Sequence, residues 1–145
     1  MLCLAVASMG SRFTIPQIDS WYAALRKPSW TPPNWLFGPV WLALYVGMAV
    51  SSWLVWRERG FSGAALPLFV FAVQLALNAA WSALFFGLQN PAAALVDIVL
   101  LWFAILLTAV LFWPINAWAA ALMIPYLLWV SFAAALNFQI WRMNR

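Results

Sequence analysis

The sequence predicts an all-α integral membrane protein, a single domain over residues 1–145 built as a five-transmembrane-helix bundle. Of its 145 residues, 68% are hydrophobic and 7% are charged, whereas a soluble domain carries about 25% charged residues. Long apolar runs alternate with short polar or proline-containing connectors. Because so few polar side chains are available to cover a surface in water, lipid is the expected solvent.

Five spans follow from the apolar runs. They cover about residues 1–11, 37–56, 66–88, 92–113 and 117–141. The last four each have about 20 residues, enough to cross a hydrocarbon core about 30 Å thick. The first has about half that length, so a shortened first helix is expected. None of the runs shows the alternating pattern of about ten residues that a membrane β-barrel requires.

The connectors differ in kind. Residues 21–37 hold three tryptophans, three prolines and the adjacent cations Arg26 and Lys27. Proline keeps a chain extended, so the connector 12–36 is predicted to form a stiff, lid-like cover at the membrane surface. Residues 57–63 read as a polar turn. The connections at 89–91 and 114–116 are tight, which makes the third and fourth spans, and the fourth and fifth, antiparallel neighbours.

The charge of the chain indicates topology rather than nucleic-acid binding. Seven Lys and Arg against three Asp and Glu give a net charge of +4, and the cations lie between or beyond the apolar runs. Five spans place the first connector and the C-terminus on one side of the membrane. That side holds Arg12, Arg26, Lys27, Arg142 and Arg145. The excess of positive charge predicts that this side is cytoplasmic.

The sequence lacks the residues that most catalytic and metal sites use. It has one cysteine, Cys3, and no histidine, so a disulfide, a metal site and tight axial ligation of haem iron are not expected, and no cofactor is required. No serine or cysteine has a base available, and no glycine-rich phosphate loop occurs, which excludes hydrolase and phosphoryl-transfer chemistry. Asp97 is predicted to reach water or a connector backbone near the interface, and a proton relay would need a second acid.

Three spans each carry aromatic and polar side chains at helical spacing. These stripes are Trp41, Tyr45, Met48 and Ser52; Asn78, Trp81, Ser82 and Phe85; and Tyr126, Trp129, Ala133 and Asn137. Their convergence would form an aromatic cavity for a large flat apolar ligand, held by stacking and one or two hydrogen bonds. A porphyrin fits, since its two propionates could pair with Arg26 and Lys27; a sterol matches the apolar part alone. The alternatives are interfacial anchoring for the tryptophans and a simple interhelical hydrogen bond for Asn78.

The third span also has a face of small residues, on the side opposite Asn78. Its members are Ala72, Ala76, Ala79, Ala83 and Gly87. Small residues allow helices to approach closely in lipid. The face therefore predicts a homodimer contact, with packing inside the same bundle as the alternative.

At these residues the chain resembles the TspO/MBR family of tryptophan-rich sensory proteins and peripheral benzodiazepine receptors. The resemblance lies in W-Y-x-x-L-x-K-P-x-W-x-P-P-x-W-x-F from Trp21 to Phe37, then in Trp41 and Tyr45, in Asn78 to Gly87, and in Pro125 to Asn137. It implies a five-helix bundle, usually homodimeric, that binds porphyrins, haem, sterols and benzodiazepine-type drugs under the first connector. The implied pocket positions are Tyr22, Trp30, Trp41, Tyr45, Asn78, Trp81, Phe85, Trp129 and Ala133.

Three functions follow from the pattern and the resemblance. The first is a membrane receptor or sensor for protoporphyrin IX, haem and related ligands that regulates tetrapyrrole metabolism or a stress response. The second is a light- and oxygen-dependent porphyrin-degrading enzyme in which Trp41 and Trp129 are catalytic. The third is a porphyrin or sterol transporter. Phe138 stands where the family's sterol motif has tyrosine, so sterol recognition is not expected.

Overall fold

The computed structural model describes Leu25 and residues 34–144, and every regular element in that part of the chain is helical. The elements are α1 (Asn34–Gly63), α2 (Ala65–Ser82) with a π-helical turn (Ala83–Gly87), α3 (Pro91–Phe112) and α4 (Ala117–Asn144). They correspond to the second to fifth predicted spans. The first predicted span and most of the connector lie outside the described residues.

All four helices are long and apolar enough to cross a membrane. Their outward faces carry exposed apolar side chains such as Leu100, Phe103 and Val110, which would be costly in water and suit lipid. The chain is therefore an integral membrane protein.

The chain breaks within the polar turn predicted at 57–63, but most of that stretch is helical rather than turn. α1 continues through Arg57, Glu58 and Arg59 and bends at Gly60, where φ is 67° and ψ is −178°. Only glycine adopts this backbone conformation without strain. A polar helical end followed by a glycine break therefore replaces the turn, because charged residues at a membrane surface extend a helix as readily as they end it.

Two asparagines set the starts of the last two helices. Asn90 Oδ1 accepts a hydrogen bond of 3.1 Å from the Ala93 N–H, and Pro91 occupies the first helical turn. Asn116 Oδ1 accepts from Trp118 N–H at 2.9 Å and from Ala119 N–H at 3.1 Å. Both residues cap N–H groups that the helix itself leaves without partners, which explains why such short connections can reverse the chain.

α3 packs between α2 and α4, as the short connections predicted, and α1 packs mainly on α4 and less on α2. The core they enclose includes Met48, Leu101, Ile105, Met123 and Tyr126, all buried. We call the end where α1 and α3 begin and α2 and α4 finish the connector end, because the first connector leads into it. The opposite end is the turn end.

Candidate functional site

The stripe predicted on α1 faces the bundle over its first three members. Tyr45 and Met48 are buried, and Trp41 is half-buried. The stripe then shifts by one residue. Ser51 is fully buried and donates to the Ala119 carbonyl of α4 at 2.7 Å, whereas the predicted member Ser52 is half-buried and donates to Ala49 of its own helix. Positions 51 and 52 are only 100° apart on a helix, so spacing alone separated them poorly.

Asn78 joins three helices through its side-chain amide. The Tyr45 hydroxyl of α1 donates to Asn78 Oδ1, and Asn78 Nδ2 donates to the Tyr126 hydroxyl oxygen of α4 at 2.7 Å. All three residues are buried. We call Tyr45, Asn78 and Tyr126 the tyrosine clasp. Because both ends of the amide are engaged, the clasp fixes α1 and α4 against α2 at mid-bundle.

A second polar link lies nearer the connector end. Trp81 Nε1 donates to Asn137 Oδ1 at 3.0 Å, and Asn137 Nδ2 donates to the Pro91 carbonyl at 2.9 Å. Trp81 also stacks on Phe85, with ring centroids 5.1 Å apart. This link ties the end of α2 and the start of α3 to α4, and it holds the Trp81 indole in one orientation.

Aromatic rings from α1 and α4 meet above the clasp. The Trp41 ring lies edge-to-face with Trp129, with centroids 6.4 Å apart and an interplanar angle of 90°. It also approaches Tyr126 at 6.4 Å and Tyr45 at 5.9 Å, and Trp129 approaches Phe132 at 5.5 Å. Edge-to-face pairs at these distances are mutually attractive. The stripes of α1 and α4 therefore meet toward the connector end, where Trp81 of the α2 stripe also hydrogen-bonds to α4.

Six of the predicted ligand-binding residues lie in two contact groups: four are linked through Tyr126 and the clasp, and the other two form the stacked Trp81–Phe85 pair. The six are Trp41, Tyr45, Asn78, Trp81, Phe85 and Trp129. Ala133 is buried on the same stripe of α4. Tyr22, Trp30, Arg26 and Lys27 lie outside the described residues, so their part in the site stays a prediction.

Leu25 is the one described residue of the connector ahead of α1. It packs against a buried cluster at the connector end, formed by Phe85, Ala94, Leu136 and Ile140. Leu25 precedes Arg26 and Lys27 directly in the sequence. The connector therefore touches the same end of the bundle that holds the aromatic rings.

Two residues of the site were missing from the predicted set. Tyr126 completes the clasp and Asn137 holds Trp81, although both had been placed on the right face of their span. The signal for their roles was a polar group within an apolar run, since such groups are costly in lipid and seek partners. Periodicity identified their face but not the helix they would contact.

Two buried polar groups behave differently from Asn78. Gln74, one turn before it on α2, is fully buried; Nε2 lies 3.7 Å from the Met48 sulfur, and Oε1 has no hydrogen-bond partner among the described residues. Gln74 was not among the residues predicted from the sequence to carry a role. Asp97 on α3 is 7% exposed, and its Oδ2 likewise has no partner in the described part of the chain. Asp97 is thus largely shielded from water, and a contact with the connector backbone stays a prediction because the connector lies outside the described residues.

The small-residue face of α2 is divided between lipid and the bundle. Ala72, Ala76 and Gly87 are exposed, whereas Ala79 and Ala83 are half-buried, and Ala79 packs against the core. A homodimer contact through this face stays a prediction.

The chain is similar in sequence to known proteins of one family. The family model described as TspO/MBR family matches residues 1–142. The chain is 49% identical to the tryptophan-rich protein TspO of Chlorobaculum tepidum, over 99% of this chain and 91% of that protein. It is 45% identical to the translocator protein of Homo sapiens, over 94% and 82% of the two chains. It is 37% identical to the tryptophan-rich sensory protein of Cereibacter sphaeroides, over 98% and 86%.

Proposed function

The chain belongs to the TspO/MBR family, and on that premise we propose that it is a membrane receptor or sensor for porphyrins such as protoporphyrin IX and haem. Related flat apolar ligands would bind at the same site. Its output would regulate tetrapyrrole metabolism or a stress response. The name of the Cereibacter sphaeroides relative, a sensory protein, supports a sensing role.

The observation that carries the proposal is that Trp41, Trp81 and Trp129 all lie toward one end of the bundle, where Trp41 and Trp129 are in contact. They come from three helices, and each is held by a defined ring or hydrogen-bond contact. Indole faces bind planar apolar molecules by stacking. A site of this composition recognises the shape of a flat ligand more than its charge. Arg26 and Lys27 of the connector would bind the negatively charged propionates of a porphyrin.

Three further features belong to the proposal. The first connector and the C-terminus lie in the cytoplasm, where Arg142 at the end of α4 is exposed and can meet lipid headgroups. Two copies associate through the exposed part of the α2 small-residue face. No cofactor is needed, because porphyrin or haem is the ligand.

The test is a titration with protoporphyrin IX, followed by quenching of tryptophan fluorescence in detergent. We expect saturable quenching by the wild type. The double variant Trp41→Ala/Trp129→Ala should lose affinity by about tenfold or more, since each indole contributes about 0.5–1.5 kcal/mol of ring contact. Trp118→Ala is the matched control, because Trp118 is 77% exposed at the turn end. A folded double variant that binds with unchanged affinity would contradict the proposal.

One observation favours a second candidate function, light- and oxygen-dependent porphyrin degradation. Trp41 and Trp129, the two residues predicted to be catalytic, contact each other directly, so both would lie beside one bound porphyrin. A bilin-like product that forms in light and is lost in the double variant would support this function. A product yield equal to that of porphyrin in protein-free detergent would refute it.

A further inference from the structure

Asn78 is a predicted ligand-binding residue, and its amide is engaged on both sides. Its Oδ1 accepts from the Tyr45 hydroxyl, and its Nδ2 donates to the Tyr126 hydroxyl oxygen. The side chain is 3% exposed. Because the side chain is buried, a ligand reaches the amide only if a neighbouring group moves, and the groups that bond its two polar atoms are the tyrosine hydroxyls.

We propose that Tyr45 and Tyr126 are specificity-determining residues of the ligand site, because each acts as an internal competitor for one atom of Asn78. This inference rests on the proposed function, since it concerns the same site. A ligand that carries a hydrogen-bond acceptor takes the place of the Tyr126 hydroxyl at Nδ2. A ligand that carries a donor takes the place of the Tyr45 hydroxyl at Oδ1.

The two replacements loosen different helices. Loss of the Asn78–Tyr126 bond weakens the link between α4 and α2, which the Trp81–Asn137 bond still joins, whereas loss of the Tyr45–Asn78 bond weakens the link between α1 and α2. The chemistry of the ligand thus selects which helix loosens. Because one hydrogen bond is exchanged for another of similar strength, the wild-type protein gains little affinity from either kind of polar group.

The inference can be tested with three planar probes of almost identical shape. Fluorene has a methylene group, carbazole has an N–H donor, and fluorenone has a carbonyl acceptor at the same place in the ring system. In wild-type protein we expect the three affinities to agree within about threefold, because the clasp satisfies Asn78 without help from the probe. Fluorene also corrects for partition into the detergent.

Removing one hydroxyl should create a selective gain. In Tyr126→Phe, the affinity for fluorenone relative to fluorene should rise about threefold to tenfold, and the relative affinity for carbazole should not change. In Tyr45→Phe, the relative affinity for carbazole should rise by the same factor, and that for fluorenone should not change. A purely structural role would alter all three probes together, since a loosened bundle does not distinguish donor from acceptor.

The outcomes separate this inference from the proposed function. If the three probes bind but neither variant changes their ratios, the competition is refuted while the ligand site stands. If the wild type already favours carbazole or fluorenone over fluorene by more than about tenfold, the amide was accessible and the inference is refuted even where a variant fails to fold. If neither protoporphyrin IX nor any probe binds saturably, the proposed function fails and this inference fails with it.

Discussion

The connector end and the turn end of this bundle are held together by different forces. From mid-bundle to the connector end, side chains of different helices hydrogen-bond one another, as Asn78 does with Tyr126 and Trp81 with Asn137. Toward the turn end Phe71 stacks on Phe112 with centroids 6.0 Å apart, and the buried Ser51 hydroxyl donates to a backbone carbonyl, that of Ala119, rather than to a side chain. Lipid offers no hydrophobic driving force for helix association, so packing and hydrogen bonds must supply it.

This difference assigns separate tasks to the two ends. Close apolar packing gives stability without chemical selectivity, because dispersion contacts do not distinguish donors from acceptors. Directed hydrogen bonds among indole, amide and hydroxyl groups can be exchanged for bonds to a ligand. The turn end is therefore expected to act as scaffold and the connector end as recognition site. The changes described next separate stability from binding.

The largest effect on stability is expected at the turn end. Phe112 is fully buried and stacked, so Phe112→Ala should lower the free energy of unfolding by about 3 kcal/mol through lost contacts and a cavity. Unfolding by sodium dodecyl sulfate in mixed micelles would measure it. Protoporphyrin IX affinity of the folded fraction should not change.

The neighbouring Trp113 provides the control for that prediction. It is 61% exposed, so Trp113→Ala should change the free energy of unfolding by less than about 0.5 kcal/mol. If Phe112→Ala stays folded but loses porphyrin binding, the division of tasks between the two ends is wrong.

A smaller loss of stability, now coupled to binding, is expected at the clasp. Asn78→Leu removes both cross-helix hydrogen bonds while keeping an apolar side chain of similar size. We expect it to lower the free energy of unfolding by about 1–2 kcal/mol, since interhelical hydrogen bonds in membrane proteins contribute about 0.6 kcal/mol each, with larger values for buried pairs. The same unfolding experiment measures this change. A change smaller than the error of the method would show that the clasp does not stabilise the folded bundle.

The sequence predicted much of this architecture because membrane spans have strong signals. Length and hydropathy located the spans that became α1 to α4, and helical spacing placed Trp41, Asn78 and Trp129 on inward faces. The small offset between Ser51 and Ser52 shows the limit of spacing. A step of 100° cannot decide between neighbouring residues when the rotation of the helix against its neighbours is unknown.

The contacts between stripes were beyond the reach of the sequence. Whether Asn78 meets Tyr126 depends on the height and rotation of α2 against α4, which a single chain's periodicity does not contain. The break at Gly60 was hidden for a related reason. The surrounding Arg57, Glu58 and Arg59 suit a turn and a helix equally well, and packing of α1 on the bundle decides between them.

The smallest effect is expected at Gln74, one helical turn from the clasp. Its Oε1 has no hydrogen-bond partner among the described residues, and its Nε2 has the Met48 sulfur as a weak acceptor at 3.7 Å. A buried carbonyl without a partner costs free energy, so replacing the amide by an apolar group removes a penalty as well as a weak bond. Gln74→Leu should therefore change the free energy of unfolding by about 0–1 kcal/mol in the stabilising direction.

Gln74→Leu is the matched partner of Asn78→Leu, because both replace a buried amide by leucine on the same face of α2. Opposite signs in the same unfolding experiment would show that an amide stabilises this bundle only when a neighbouring helix satisfies it. A destabilisation by Gln74→Leu as large as that of Asn78→Leu would mean that the Gln74 carbonyl is satisfied in the folded protein, for example by a buried water. Gln74 would then belong with the hydrogen-bonded residues of the recognition site, which would extend one helical turn further toward the turn end.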